Sequence, residues 1–316
     1  MNREIEISVV AACHNEQDCL PEFVRRTSAV LQGLKLPYEI VIVDDGSVDR
    51  SLSIACDLAK NDPRIKVVEL SRNFGHQCAV TAGMDMARGR AVVLIDADLQ
   101  DPPEVIAEMA AQWRQGSDVV YGQRRSRKGE SAAKLMTAHA FYRILRWATR
   151  VNIPVDTGDF RLMDRKVVDA IGKMREHHRF IRGMTSWVGF KQTAVPYDRV
   201  ERFAGETKYP FRKMFLFSID AMTSFSVVPL RLMAMIGFVT MTLSVLLSAV
   251  IVFVHLFYPQ HFLPGFPAVA LLVVFFGGLN LFSLGIVGEY VGRIYEEIKS
   301  RPLYLIHRVH HWEPKE

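Results

Sequence analysis

The sequence predicts an α/β fold, a mostly parallel sheet with helices on both faces, followed by a two-helix membrane hairpin. Three observations predict it. Short apolar runs alternate with stretches of helical length through residues 5–122, the pattern of βαβ units. Acidic residues crowd where those runs end, as in "VVLIDADLQDPPE" (92–104), and ligands of such sheets bind at the carboxyl ends of the strands. No Asp, Glu, Lys or Arg occurs between Arg231 and Glu289.

The elements follow in order. "IEISVVAA" (5–12) reads as a strand and 17–34 as a helix. "YEIVIVDD" (38–45) is a strand, and Ser47 or Asp49 caps a helix over 49–61. "KVVEL" (66–70) is a strand, and the helix over 76–88 ends at Gly89. "AVVLID" (91–96) is a strand covered on both faces, and Pro102 or Pro103 opens a helix over 102–115. "DVVYG" (118–122) is a fifth strand.

Two apolar stretches, 229–257 and 267–290, flank the loop "YPQHFLPGFP" (258–267). Each exceeds the ~20 residues that cross a bilayer. Lysine and arginine lie outside the hairpin, from Arg199 to Arg231 before it and from Arg293 to Arg308 after it. By the positive-inside rule both flanks, and both termini, are expected on the cytoplasmic side. Upstream, "PFRKMFLFSIDAMTSFS" (210–226) spaces its apolar residues as a helix lying in the membrane surface would. The expected organisation is a catalytic domain over 1–209, an interfacial helix over 210–226, two spans over 227–292 and a cytoplasmic tail over 293–316 that carries His307, His310 and His311. The membrane region is also where copies of the chain would associate.

The 316 residues carry a net charge of +5 and are 49% hydrophobic. Four cysteines without a CxxC pair suit a reducing compartment. The N-terminus "MNREIEISVV" is too charged for a signal peptide. There is no GxGxxG after the first strand and no GxxxxGK[ST], so dinucleotide and P-loop readings lose their fingerprints. The basic balance fits nucleic acid, but no groove-reading motif accompanies it and none is expected as a partner.

Asp96, Asp98 and Asp101 crowd within six residues. Carboxylates that close repel unless a cation neutralises them, and hard oxygen ligands suit Mg²⁺ or Mn²⁺. Taken with "VDDGSVD" (43–49), "LSRNFGHQCAVTAGMD" (70–85), "IDADLQDPPE" (95–104), "TGDFRLMDRKVV" (157–168) and "GIVGEYVGRIYEEIKSRPLY" (285–304), the chain resembles the family 2 glycosyltransferases of the GT-A fold. It is most similar to their polyprenyl-phosphate branch, which includes dolichyl-phosphate mannose synthases and bacterial undecaprenyl-phosphate glucosyltransferases.

The resemblance implies metal-dependent, inverting transfer of a sugar from a nucleoside-diphosphate sugar to polyprenyl (undecaprenyl) phosphate. A UDP-hexose is favoured over GDP-mannose as donor. The enzyme would sit in a bacterial inner membrane, facing the cytoplasm, and supply lipid-linked sugar to the cell envelope. Asp98 would hold the metal, Asp96 the metal or the ribose, and Gln100 would assist. Glu16, Asp44 and Asp45 would contact the nucleotide. Asp159 would face the sugar as orienting group or base, with Arg161 holding it or phosphate. The acceptor phosphate needs cations, and Arg124, Arg125, Arg127, Arg202 and Lys208 are the candidates. The family's first strand usually ends in proline and then an aromatic residue before Asn-Glu-Glu; here Ala11, His14 and Gln17 stand at those departures, near the base. Processive polysaccharide synthases of the same fold carry QxxRW and more spans, and this chain has neither. A non-catalytic membrane scaffold would have no use for the acidic motif.

Overall fold

The structure is a computed structural model, and it describes residues 5–125, 154, 157–200, 228–257 and 266–310. They divide into two compact units. The first is an α/β unit in chain order β1 (Ile7–Cys13), α1 (Leu20–Gly33), β2 (Tyr38–Asp44), α2 (Ser51–Asn61), β3 (Ile65–Leu70), α3 (His76–Met86), β4 (Ala91–Asp96), α4 (Val105–Arg114), β5 (Val119–Arg124), β6 (Thr157–Asp164), α5 (Arg165–Gly172), α6 (Ile181–Trp187) and β7 (Gln192–Tyr197), closed by β8 (Ile306–His310). The second holds two long helices, α7 (Val228–Phe257, 30 residues) and α8 (Phe266–Ile298, 33 residues). Within it one stretch, Phe275–Ile298, is long and apolar enough to cross a membrane.

One eight-stranded sheet runs β7-β5-β6-β4-β1-β2-β3-β8. Its centre is parallel, because helical crossovers return the chain to the same end of the sheet before each new strand. β1 and β2 are almost wholly buried, as the apolar runs require of strands covered on both faces. Alternation along β1 shows the two layers. Ile7, Val9 and Ala11 join the core that holds Phe23 and Leu31 of α1 and Met109 of α4. Val10 faces α3, where a Cβ on Gly83 would lie 2.2 Å from its Cγ1. Burying a side chain such as Phe23 contributes about 1.5–3 kcal/mol.

Two departures from the sequence pattern shape the site. The fifth strand does not extend the parallel sheet beside β4. β6, expected only as a motif, inserts between them and runs antiparallel to both. Its first residues therefore lie beside the carboxyl end of β4. The second departure is at the C-terminus. The segment expected as a tail returns as β8, antiparallel to β3, with His310 Nε2 3.0 Å from Glu69 Oε2. It covers a sheet edge that would otherwise expose unpaired backbone groups. Two smaller differences concern caps. Asp49 does serve the start of α2, accepting from Ser51 N at 2.9 Å. Gly89 lies beyond the end of α3; its Cβ would sit 2.5 Å from Ser8 N, so close chain approach is what it serves.

Candidate functional site

β1, β2 and β4 end in register, Cys13 opposite Asp44 and Ala12 opposite Asp96. The sheet order reverses at β1, since β2 lies on one side and β4 on the other. Parallel sheets open a crevice at such a point, and the acidic residues line it.

Asp159, at the start of β6, is the most heavily engaged group. Gln77 Nε2 donates to its Oδ2 at 3.1 Å, and Arg182 Nη2 donates to Oδ1 at 3.3 Å. His76 Nε2 lies 3.5 Å from Asp159 Oδ2 and 3.6 Å from Asp96 Oδ1, which places the imidazole between two carboxylates. Arg161, 3% exposed, points its guanidinium at the backbone carbonyls of Gly158 and Asp159. Burial works to raise Asp159, but Arg182, His76 and Arg161 hold it well below the usual carboxylate range. Burial alone would lower His76; the two carboxylates outweigh it and raise the imidazole to about 9. Asp96 goes the other way. Burial, with repulsion from Asp159, Asp98 and Asp101, raises it to about 6 despite His76. Arg161 is lowered by burial to about 10.

Asp98 is buried at 8% exposure and its Oδ1 accepts from Gln100 N at 3.1 Å. Among the described residues no group of three His, Cys, Asp or Glu side chains forms a ready-made metal cage. Mg²⁺ seldom uses one; it is held by one or two carboxylates plus substrate phosphates. Asp96 and Asp98 fit that donor set, because their mutual repulsion is what a divalent cation relieves. Gln100 Oε1 accepts from Arg199 Nη2 at 2.7 Å.

At the nucleotide end the expected residues separate. Both carboxylate oxygens of Asp45 are taken by backbone N–H groups, Phe74 at 2.7 Å and Gly75 at 3.0 Å. Asp45 therefore pins the loop before α3 instead of facing the crevice as a free acceptor. Asp44, 2% exposed, accepts from Ser47 N through Oδ2, while Oδ1 has no hydrogen-bond partner among the described residues. Burial raises its carboxyl. Glu16 is half-buried, its backbone N–H donating to Ser51 Oγ at 2.8 Å. His14 Nδ1–H donates to the Asp45 carbonyl, 2.9 Å away.

Of the cations expected for the acceptor, Arg124 reaches the crevice: its Nη2 lies 3.0 Å from where a Cβ on Gly158 would sit. Arg125 pairs at 3.7 Å with the exposed Asp198. Arg127, Arg202, Lys208 and the helix over 210–226 fall outside the described residues. His76, Gln77 and Arg182 were missed by sequence reasoning. For His76 and Gln77 the signal was position: "GHQ" immediately follows the third strand's loop, where a site at strand ends draws its residues.

An acidic crevice at the switch point of this sheet, with β6 inserted antiparallel, defines a GT-A-like glycosyltransferase fold. The chain belongs to glycosyl transferase family 2, whose profile matches residues 8–172. Its relatives include the uncharacterized glycosyltransferase YkcC of Bacillus subtilis, 47% identical over 315 residues, covering 100% of this chain and 97% of that one. The SfII prophage-derived bactoprenol glucosyl transferase of Shigella flexneri is 39% identical over 312 residues, covering 98% of this chain and 100% of that one. Among solved structures, glucosyl-3-phosphoglycerate synthase from Mycobacterium tuberculosis, crystallised with Mn²⁺, UDP and phosphoglyceric acid, shares the fold. Its TM-score is 0.50 at 19% identity, covering 69% of this chain and 76% of that one.

Proposed function

We propose that this glycosyltransferase moves a hexose from a UDP-sugar to polyprenyl (undecaprenyl) phosphate at the cytoplasmic face of a bacterial inner membrane. The observation that carries the reading is the meeting of Asp96, Asp98 and Asp159 at one strand-end crevice. Full-length similarity to the bactoprenol glucosyl transferase supports the acceptor.

Asp96 and Asp98 would hold Mg²⁺ or Mn²⁺, which supplies Lewis-acid stabilisation of the leaving diphosphate. Asp44 and Glu16 face the nucleoside. A phosphate monoester has its second pKa near ~6, so the acceptor arrives mostly as a dianion and needs no strong base. Its oxygen bonds to the anomeric carbon as the bond from that carbon to the diphosphate oxygen breaks. The nucleoside diphosphate leaves and the configuration inverts. Asp159, held ionised by Arg182 and His76, is a poor proton acceptor. Its role is to orient a sugar hydroxyl and to balance charge as the bond breaks. Arg124 steadies the acceptor phosphate, with Arg127, Arg202 and Lys208 as further candidate cations.

Two membrane crossings complete the reading. β8 follows α8 in the chain yet pairs with β3, which precedes α7. Strands from both flanks of the helical unit join one sheet, which supports an even number of crossings. A single crossing at Phe275–Ile298 would separate β8 from β3. The test is the purified chain with undecaprenyl phosphate and a panel of labelled nucleotide sugars. The expected product is one lipid-linked hexose of inverted configuration, from UDP-glucose before GDP-mannose. Retained configuration, or transfer to a soluble acceptor alone, would overturn the reading.

A further inference from the structure

Asp101 is 2% exposed and lies three residues beyond Asp98. It is neither metal ligand nor sugar contact in the proposed reaction. Its partners come from the ends of two other strands. Tyr197 donates its phenol to Asp101 Oδ1 in a short hydrogen bond. Arg124 Nη2 lies 4.0 Å and Arg199 Nε 3.9 Å from that same oxygen. β5 and β7 are parallel with Arg124 directly opposite Tyr197, so strand register delivers both to one carboxylate. Arg124 Nε also lies 3.4 Å from Tyr197 Oη.

The support behind this cluster is rigid. The Tyr197 ring stands edge-on to Phe160, with centroids 5.7 Å apart at 86°. Gly122 leaves the ring its space, since a Cβ there would come within 2.7 Å of it. Burial and the charge of Asp101 push the phenol above its ordinary value, so it stays a proton donor. Arg199 is tied further to the acidic loop through Gln100 Oε1 at 2.7 Å, and Val200 N donates to Gln100 O at 3.1 Å.

Two guanidiniums on one carboxylate carry a net positive charge and more N–H donors than that carboxylate accepts. Their planar forks match the oxygens of a phosphate. Arg124 passes over Gly158, beside Asp159, so it borders the reacting centre. We propose that Asp101 and Tyr197 are positioning residues that hold Arg124 and Arg199 together as a two-arginine site for the phosphate of the acceptor. The proposal rests on the polyprenyl-phosphate reading and adds Arg199 to the acceptor site.

The test measures equilibrium binding of farnesyl phosphate, and separately of UDP-glucose, to the full chain in detergent micelles. Tyr197→Phe keeps the ring and removes the donor. It should weaken farnesyl phosphate about tenfold, the scale of one hydrogen bond to a charged group, and raise KM for undecaprenyl phosphate. UDP-glucose affinity should stay within about twofold. Arg199→Ala, on a side chain 35% exposed, should reproduce the effect if Tyr197→Phe folds poorly, and Arg199→Lys should restore part of it. Unchanged farnesyl phosphate affinity in both variants, or equal weakening of both ligands, overturns the positioning role while leaving the reaction intact. Failure of the wild type to bind farnesyl phosphate overturns the acceptor reading and this proposal with it.

Discussion

Asp159 takes its ionisation from residues far away in the chain. Arg182 is its strongest opposing charge. Arg182→Gln should raise the Asp159 pKa, and kcat should fall about 10- to 100-fold, the range for losing a charge-assisted hydrogen bond. An unchanged kcat would mean that other cations hold the carboxylate. His76 makes a stability prediction. Its folded pKa is raised to about 9 by its carboxylate neighbours against the effect of burial. A raised histidine contributes stability fully below its unfolded pKa of ~6.5, and that contribution is lost as pH rises through the folded value. The melting-temperature advantage of wild type over His76→Gln should therefore be greatest below pH ~6.5 and vanish above the folded pKa. A constant difference across that window would refute the pairing. Asp98→Asn should abolish transfer while leaving the melting temperature close to wild type, and excess chelator should do the same. Full turnover in chelator would remove the metal from the mechanism.

At the scale of elements, the loop from β3 to α3 is the part most finely fitted to the sheet. Asp45 fastens it through two backbone N–H groups, and Gly46 makes the close approach to it. Gly46 sits at φ 65°, and a Cβ there would lie 2.6 Å from Asn73 N. Both the left-handed backbone and the contact with main chain penalise any side chain. Gly46→Ala should cost about 1–3 kcal/mol in thermal or denaturant unfolding. Because His76 and Gln77 follow that loop, it should also weaken donor binding. The loop was legible in part. "DDGS" marks a turn after a strand, but nothing local says that the second aspartate bonds a loop about thirty residues on.

For the whole molecule the decisive element is β8, only five residues long. It ties the chain after the two long helices to the strand layer that precedes them. Tyr304 strengthens the tie, its phenol donating to Asp85 Oδ2 at 2.7 Å, where Arg175 also pairs. Reporter fusions should place both the N-terminus and the C-terminus in the cytoplasm. Cysteines introduced into the 258–265 segment should label from the opposite side. Labelling of that segment from the cytoplasmic side would rule out two crossings.

The alternation of strands and helices, the acidic clusters at strand ends, the two long apolar helices and the family are legible along the chain. These follow from local patterns: periodicity, turn chemistry and charge gaps are written within a few residues of where they act. Tertiary structure alone decided that β6 enters antiparallel between β4 and β5, which carries Asp159 to Asp96. It alone decided that His76, Gln77 and Arg182 surround Asp159, that Asp101 gathers Arg124, Tyr197 and Arg199, and that a supposed tail is an edge strand. Each of these contacts joins residues far apart in the chain. Their pairing is set by which strand edges remain open once the parallel core has formed, and no local pattern records it.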